Sequence, residues 1–575
     1  FDNTRNIRYA AAYFVDDAQS RPLINRAVES IRSKEISEHV RMGPAHIWVP
    51  KEYVEKFATN LPDVLRLMSL ANQHYRRITH QTWQTIRHAM QDRVSTPPDD
   101  ETIEAFLLLL SRPGRLAPLV RRLHELRIIE QLIPEFKRMR GLLQFNAYHK
   151  YTVDAHSFRA IEAATELQND KGGMGRRYRR LADKRLLHLA LLIHDIGKGY
   201  EEDHCIVGAR IARRTAERLN LDPVTAETLE WLVRKHLAVN VVAFRHDLSD
   251  PQIVLSFAAE VGSIRRLELL VVHTYADLVA VGPGVATDWK VNLIEDLYKR
   301  TRRYFDSGSL PGSPDDPEIE LKRSEVREQL QQLDSYERCT KLLDRMPLSL
   351  LSLADSDCLA KQIEMVACNL AAGALCTSTY DPRFNAIRYT VVRREDEHSI
   401  GTFARATGVL STSGLVILRA QIEMVGNLAW DNYWVTDSEC TDDNAVDSRT
   451  EGICASVCLL LDSPDDPLPS YRRKWDSQNS REGDSVNVLP RKVVFDNETV
   501  DRYTILSFFA YDEVGLLYRI AATLAELRVV LHFAKIDTHL DQVADVFYVS
   551  EQDGSKFTRS ERRAEIRNAL LSMGD

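Results

Sequence analysis

Cysteine is scarce in this sequence: eight residues in 575, scattered, with no Cys-x-x-Cys pair. That excludes a disulfide scaffold and a zinc ribbon, and it suits a reducing compartment, so a cytoplasmic location is expected. Cys454 and Cys458 stand four apart, a spacing that fits one face of a helix better than a zinc knuckle. Long apolar runs are missing as well. None reaches the roughly 18 residues of a membrane span, and the most apolar stretch, Leu186 to Ile193, contains His188 and ends on His194-Asp195. No signal peptide is read, and the chain opens on Phe1 rather than Met, as a fragment would. An excess of positive charge is also absent. The 75 basic and 83 acidic residues give a net charge of −8, so neither a nucleic-acid footprint nor a membrane partner is expected. What is present is ordinary for a globular protein: 44% hydrophobic and 27% charged residues. At about 150 residues per domain, the length predicts three or four domains.

Residues 1–148 read as helical, with apolar residues at three- and four-residue spacings over Tyr53 to Met90 and Thr102 to Leu132. Asp99-Asp100 after Pro97-Pro98 predicts a helix start. Residues 149–300 also read as helical, with segments near 155–167, 181–196, 205–220, 224–237, 251–260 and 264–281, interrupted by a loop at Lys171-Gly-Gly-Met-Gly. Residues 306–317 have a linker composition, and helix is expected again from Glu318 to about Ala371. The character changes near 385. Ile387 to Val392 reads as strand, Gly401 to Ser413 as helix, and Leu415 to Ile422 and Leu428 to Val435 as strands. The same order recurs over Tyr503 to Ala510, Leu516 to Leu527, Val529 to Thr538 and Val543 to Val549, followed by helix from Arg559 to Leu571. This is a weak internal repeat. Asp462 to Leu489, between the copies, reads as a loop.

Six histidines and two aspartates stand out between 149 and 277: His149, His156, His194-Asp195, His204, His236, His246 and Asp277. The adjacent pair is the sharpest. Neighbouring helix residues point about 100° apart, so both can reach an ion off the helix edge between them. The pair lies where an apolar helix meets Gly197 and Gly199, and polar groups at such a buried rim are costly without a partner. Imidazole with carboxylate suits divalent Mn, Fe or Zn, and Mg where oxygen dominates. His188, His246 and His273 read as structural, and His149 as a lesser candidate. The basic run Lys171, Arg176, Arg177, Arg179, Arg180, Lys184 and Arg185 is either a solvated face or an attractor for an anionic protein.

The segment HDIGKG (194–199), with His156-Ser-Phe-Arg-Ala-Ile upstream and Tyr-Ala-Asp277 downstream, resembles the HD superfamily of metal phosphohydrolases. IPEFKRMRGLLQFNAYHKYTVDAH (133–156), HDIGKGYEEDHCIVGA (194–209), LVRKHL (232–237), YADLVA (275–280) and DWKVNLIEDLY (288–298) resemble, more narrowly, the bifunctional uridylyltransferase/uridylyl-removing enzymes of nitrogen regulation, which act on the PII signalling protein. So do LPRKVVFDNETVDRYTIL (489–506), YDEVGLLYRIAATLAEL (511–527) and AKIDTHLDQVADVFYVSEQDG (534–554); the resemblance runs from about 7 to 570. The family's nucleotidyltransferase signature, a Gly-rich turn followed by Asp-x-Asp, is not found, and residues 7–30 resemble the segment that follows that core. The removing half of the activity is therefore the half expected of this chain, and no transfer of UMP from UTP; a longer chain would add the transferase.

The resemblance implies a multidomain protein: an all-α, helical HD-type phosphohydrolase region followed by two α+β, ferredoxin-like (βαββαβ) ACT domains. The implied divisions are 1–148, the helical region after the missing core; 149–305, the HD domain; 306–384, linker and helical connector; 385–460, the first ACT domain; 461–500, linker and lead-in strand; and 501–575, the second. His156, His194, Asp195 and Asp277 are the implied ligands of the first metal, and His204 and His236 match the extra histidines of two-metal relatives. Mg or Mn is the expected cofactor, with Fe or Zn as alternatives. Asp195 and Lys198 are the implied catalytic residues. For Lys198 two readings stand: an ammonium that stabilises phosphate charge, or a solvated lysine at a helix end. The effector implied is glutamine, bound in the second ACT copy by Asp512, Gly515 and Leu516 at a helix start. The first copy has His398-Ser-Ile-Gly401 at the corresponding turn. Against this stand a non-enzymatic amino-acid sensor with an HD scaffold and a guanosine tetraphosphate hydrolase. A scaffold has no need of a full ligand set. The hydrolase family carries Glu-Asp soon after its His-Asp motif, where this chain has Ile-Gly-Lys-Gly. An HD domain also occurs as the tail of a tRNA nucleotidyltransferase, to which ACT repeats are foreign.

Overall fold

Many helix starts in this protein are written as aspartates. In the computed structural model the side chains of Asp99, Asp183, Asp203, Asp222, Asp250 and Asp316 each accept from a backbone N–H two or three residues ahead. Each cap satisfies an amide that the helix cannot, which contributes about 1 kcal/mol. The Asp99 cap is the one expected after Pro97-Pro98. The structure describes residues 32–91, 97–143, 151–308, 316–351, 355–369, 373–382, 384–394, 402–437, 443–463, 491–511, 515–536, 538–539 and 542–573. The segment 7–30, His149, most of the 306–317 linker and of the 462–489 loop, His398 to Gly401, and Asp512 lie outside them.

The chain divides into two compact units, residues 1–238 with 265–286, and residues 239–264 with 287–575. The first unit opens with a small sheet of β1 (Lys34–Ser37), β2 (Val40–Met42), β3 (His46–Trp48) and β4 (Arg77–Ile78), antiparallel except for the parallel β3–β4 pair. The all-helical reading of 1–148 missed it, because strands of two to four residues are too short to show alternation. Helices follow at Lys51–Thr59, Leu61–Gln73, His80–Gln91, Asp100–Leu110 and Leu116–Glu125. The body that carries the histidines is Val153–Glu166, Lys184–Ile193, His204–Arg218, Pro223–Lys235 and Ile264–Val281, close to the expected segments. The expected loop at 171–175 is instead a helix start, Gly173–Arg180. Its glycines answer to Asp170: the carboxylate accepts from the Gly172 and Gly175 amides, and a Cβ on Gly175 would lie 2.2 Å from the Asp170 carbonyl.

In the second unit the helical stretch expected over 318–371 is four helices: Pro317–Leu330, Tyr336–Arg345, Leu348–Leu351 and Ser356–Asn369. Pro347 explains one break, since it offers no N–H and pushes Met346 to extended backbone. One antiparallel sheet then runs through the unit: β5 (Leu375–Asp381), β6 (Ala386–Arg394), β7 (Leu415–Val425), β8 (Leu428–Asp437), β9 (Lys492–Asp496), β10 (Thr504–Tyr511), β11 (Val530–Lys535), β12 (Thr538–His539) and β13 (Gln542–Ser550). Its order is β5-β6-β8-β7-β11-β13-β10-β9, with β12 on β13. The repeat is there, with helices Thr402–Thr412 and Asp443–Asp462 in one copy and Leu516–Glu526 and Ser560–Leu571 in the other.

Each copy runs ββαββα among the described residues, not βαββαβ, the second with the two-residue β12 added between its last two strands. The outermost strand comes first, and β5 begins ten residues before the change expected near 385. An edge position beside β6 can be filled from either end of the chain, and a hairpin through Asn385, at φ 48°, fills it locally. Cys454 and Cys458 share the Asp443–Asp462 helix, as their spacing suggests. The copies join where β7 pairs with β11, and their helices share one apolar core. Two buried cations face each other at that join, Arg419 opposite Lys535. Neither is left bare. Lys535 Nζ donates to the carbonyls of Ala243 and His246, at the end of the Ala238–Arg245 helix, and Arg419 bonds to Gln421 Oε1 (3.1 Å) and Asp247 (3.4 Å). The Tyr548 hydroxyl adds bonds to His246 Nδ1 and the Asp247 amide, both 3.1 Å.

Candidate metal centre

His194 closes the apolar Lys184–Ile193 helix, and Asp195 begins the turn after it. Gly197 and Gly199 make that turn possible. A Cβ on Gly197 would lie 2.1 Å from the His204 carbonyl, so only glycine lets the turn press against the start of the His204–Arg218 helix. Gly199 has φ +83°, which strains any other residue. Asp203 caps the helix start and so orients His204. His236 ends Pro223–Lys235, His156 lies in the first turn of Val153–Glu166, and Asp277 lies on Ile264–Val281.

These residues meet. His156 Nε2 is 2.8 Å from Asp277 Oδ1, and His194 Nε2 is 3.6 Å from the same oxygen. Asp195 stands between two groups. Its Oδ2 lies 3.3 Å from His194 Nε2 and 4.0 Å from His156 Nε2; its Oδ1 lies 3.9 Å from His236 Nε2 and 4.0 Å from His204 Nε2. His156, His194, Asp195, His236 and Asp277 are all buried. Lys198 is not the solvated lysine of one reading: its Nζ is 2.8 Å from Asp195 Oδ2.

The donors fit a cation. His194 Nδ1 lies 3.0 Å from the Leu191 carbonyl and His236 Nδ1 2.8 Å from that of Val233. A carbonyl only accepts, so each Nδ1 carries the hydrogen and each Nε2 is turned to the carboxylates. His194 Nε2 is buried and makes no aligned hydrogen bond, the orphan that a buried site without an ion would leave. Electrostatics agree. Burial works against charge on His194, and Asp195 and Asp277 overcome it, holding the imidazole up at about 10. Burial likewise opposes the two carboxylates, and the imidazoles, with Lys198 at Asp195, pull both well below the usual range. Burial and the neighbouring His194 press His236 down to about 4. In this geometry a proton on His194 does what a metal cation would do for the two carboxylates.

Two residues join the site that the sequence reading left out. His273, read as structural, lies one turn before Asp277; its ring is 5.4 Å from that of His194, and neither nitrogen has a hydrogen-bond partner. Its i, i+4 spacing to Asp277 was the available signal. Cys205 Sγ lies 3.5 Å from His204 Nε2 and 4.0 Å from His236 Nδ1. Donor atoms of His156, His194 and Asp277 lie within 4.8 Å of one another, and so do those of His204, Cys205 and His236. His188 is core, bonded to the Leu110 carbonyl and the Tyr178 hydroxyl. His246 belongs to the other unit, as does the effector turn, where Gly515 at φ 78° precedes the buried Leu516. In the basic run, Arg176, Arg179 and Lys184 hold backbone carbonyls and Arg185 pairs with Asp183, the work of a scaffold. No described helix is long and apolar enough to cross a membrane.

Residues 153–271 match the HD domain family. Over 484 residues, 82% of this chain and 51% of the relative, the sequence is 32% identical to the bifunctional uridylyltransferase/uridylyl-removing enzyme of Azospirillum brasilense. The enzyme of the same name from Cereibacter sphaeroides is 32% identical over 82% of this chain and 50% of the relative. That of Rhodospirillum rubrum is 28% identical over 98% of this chain and 60% of the relative. The chain thus spans about half the length of the first curated relatives it matches. Among solved structures, a CCA-adding enzyme in complex with ATP is 11% identical over 56% of this chain and 63% of that one, with a TM-score of 0.31, too distant to argue from.

Proposed function

We propose that this chain, a homologue of the bifunctional uridylyltransferase/uridylyl-removing enzymes with an HD domain of its own, is a metal-dependent phosphodiesterase that removes UMP from uridylylated PII protein. The observation that carries the reading is the orphaned, buried Nε2 of His194 beside two carboxylates. A non-enzymatic scaffold would have no use for so costly a group. His156, His194, Asp195 and Asp277 would hold one ion, and Asp195, His204 and His236 a second. Such ions would make hydroxide from water and neutralise phosphodiester oxygens. The chain's own residues do the rest. Asp195 presents one oxygen to each donor group. The backbone carbonyls of Leu191 and Val233 hold the ligand rings in one tautomer. Lys198 fixes a positive charge at the rim, suited to the negative charge a phosphodiester gathers in its transition state. Magnesium or manganese is the working cofactor. The ββαββα copies act as ACT domains, with glutamine bound at Asp512, Gly515 and Leu516, and the enzyme works in the cytoplasm.

The test is release of UMP from uridylyl-PII, or of an aryl alcohol from a model nucleotide diester. Cleavage should require manganese or magnesium and stop with chelator, and Asp195→Ala should abolish it in a protein that still folds. Full activity in that variant would sink the assignment. For the effector, calorimetry should show glutamine binding weakened by Asp512→Ala; unaltered binding would place the sensor elsewhere.

A further inference from the structure

The donor group of His204, Cys205 and His236 differs in kind from its neighbour. One group offers imidazole and carboxylate; this one adds a sulfur. His204 and Cys205 are consecutive at the first turn of their helix, held there by the Asp203 cap on the Cys205 and Ile206 amides. The arrangement repeats that of His194-Asp195, whose adjacent side chains would flank an ion off the helix edge. A tetrahedral ion about 2.3 Å from sulfur and about 2.0 Å from nitrogen holds those donors roughly 3.5 Å apart. His204 Nε2 and Cys205 Sγ are 3.5 Å apart. His236 and Asp195 stand farther out and would have to close in on an ion: Asp195 Oδ1 is 4.0 Å from His204 Nε2 and 3.9 Å from His236 Nε2, where such an ion holds its lighter ligands roughly 3.3 Å apart, and the His236 nitrogen 4.0 Å from Cys205 Sγ is Nδ1, the one on the Val233 carbonyl. Two nitrogens, one sulfur and one carboxylate oxygen make a donor set for zinc. Magnesium takes oxygen and water and has no affinity to gain from sulfur.

We infer that Cys205 is a metal ligand, and that with His204, His236 and Asp195 it makes the second metal position of this chain selective for zinc and its thiophilic surrogates cobalt(II) and cadmium. The thiol gives up its proton on coordination, so binding releases a proton to solvent. The inference rests on the proposed metal centre and goes beyond it. A thiolate ligand at one position and none at the other divides the two sites by metal type, so the His156–His194–Asp277 group can hold a harder ion while the Cys205 group holds zinc.

The test is cobalt(II) titration of the whole chain, read by absorption. A thiolate ligand produces a sulfur-to-cobalt charge-transfer band in the near ultraviolet, in addition to the visible bands of four-coordinate cobalt. Cys205→Ser should remove the charge-transfer band. It should also weaken zinc at least as much as loss of an outer-shell partner does, roughly 10–100-fold. Asp277→Asn, which touches only the other group, should keep the band. Zinc should also slow alkylation of Cys205 in the unmutated chain, as peptide mapping would show; this needs no variant. Visible bands without a charge-transfer band, or a band that survives Cys205→Ser, would overturn the inference and leave the metal centre standing. Absence of any cobalt binding would overturn both.

Discussion

Two regions of this molecule bury polar side chains, and they spend them differently. At the join of β7 and β11 every buried cation has a partner: carbonyls for Lys535, Asp247 and Gln421 for Arg419, and Tyr548 for the His246 ring. Around Asp195, at least as deep, His194 Nε2 faces two carboxylates without an aligned hydrogen bond to either, and neither nitrogen of His273 has a hydrogen-bond partner. Burial alone is not what marks a site. His188 and His194 lie six residues apart, both buried, yet His188 is pressed down to about 4 by burial while His194, also opposed by burial, is held up at about 10 by two carboxylates. At the join each cation is tied to acceptors, with Arg419 Nε alone making no hydrogen bond; around Asp195 the unsatisfied nitrogens belong to imidazoles beside two carboxylates, a donor set that could hold a cation.

On that contrast, breaking the region around Asp195 costs function and breaking the join costs stability. After the abolition expected of Asp195→Ala, the largest effect is expected from Asp277→Asn. Diesterase turnover should fall by roughly 10²–10³-fold, the scale of losing a group aimed at transition-state charge, while thermal unfolding moves little. A variant that unfolds instead would make Asp277 scaffold. Next is pH. His188 and His246 are both held near about 4, below their ordinary 6.5, by burial first and, for His246, by the nearby Lys535 charge. The fold therefore favours the neutral rings. Their contribution is complete above about 6.5 and is lost as pH falls toward about 4, up to about 3 kcal/mol for a fully buried ring. Urea titrations across that window should steepen accordingly, and His188→Gln should flatten the profile; an unchanged slope would mean that His188 is not held neutral. The smallest is Lys535→Met, which strands the Ala243 and His246 carbonyls and should cost about 1–3 kcal/mol. No loss there would mean that the join is stabilised by its apolar core alone.

How much of this was legible beforehand depends on range. The longer helices between 153 and 281 followed from periodicity, though Gly173–Arg180 and Ala238–Arg245 did not, and the Asp99 cap followed from two prolines and two aspartates, because these are local interactions among neighbours. A lead-in strand was expected before the second copy, within 461–500, but not before the first: β5 was missed because a strand's place in a sheet is set by its partner, and β5's partner begins only across a hairpin. The short β1–β4 sheet had too few residues per strand to leave a pattern.

By itself the sequence determined which residues could be ligands. His156, His194, Asp195, His204, His236 and Asp277 are all identifiable from HDIGKG and its flanking motifs, because an ion demands particular donor atoms and a turn at Gly197 and Gly199 demands glycine. What only the tertiary structure decided is how those donors are shared. His156 and Asp277 bond across 121 residues of chain, Asp195 divides its two oxygens between two groups, and Cys205, an unremarked neighbour of His204, comes within reach of His236. No spacing along the chain carries that information. It arises where five helices converge, at distances fixed by the packing of their apolar faces.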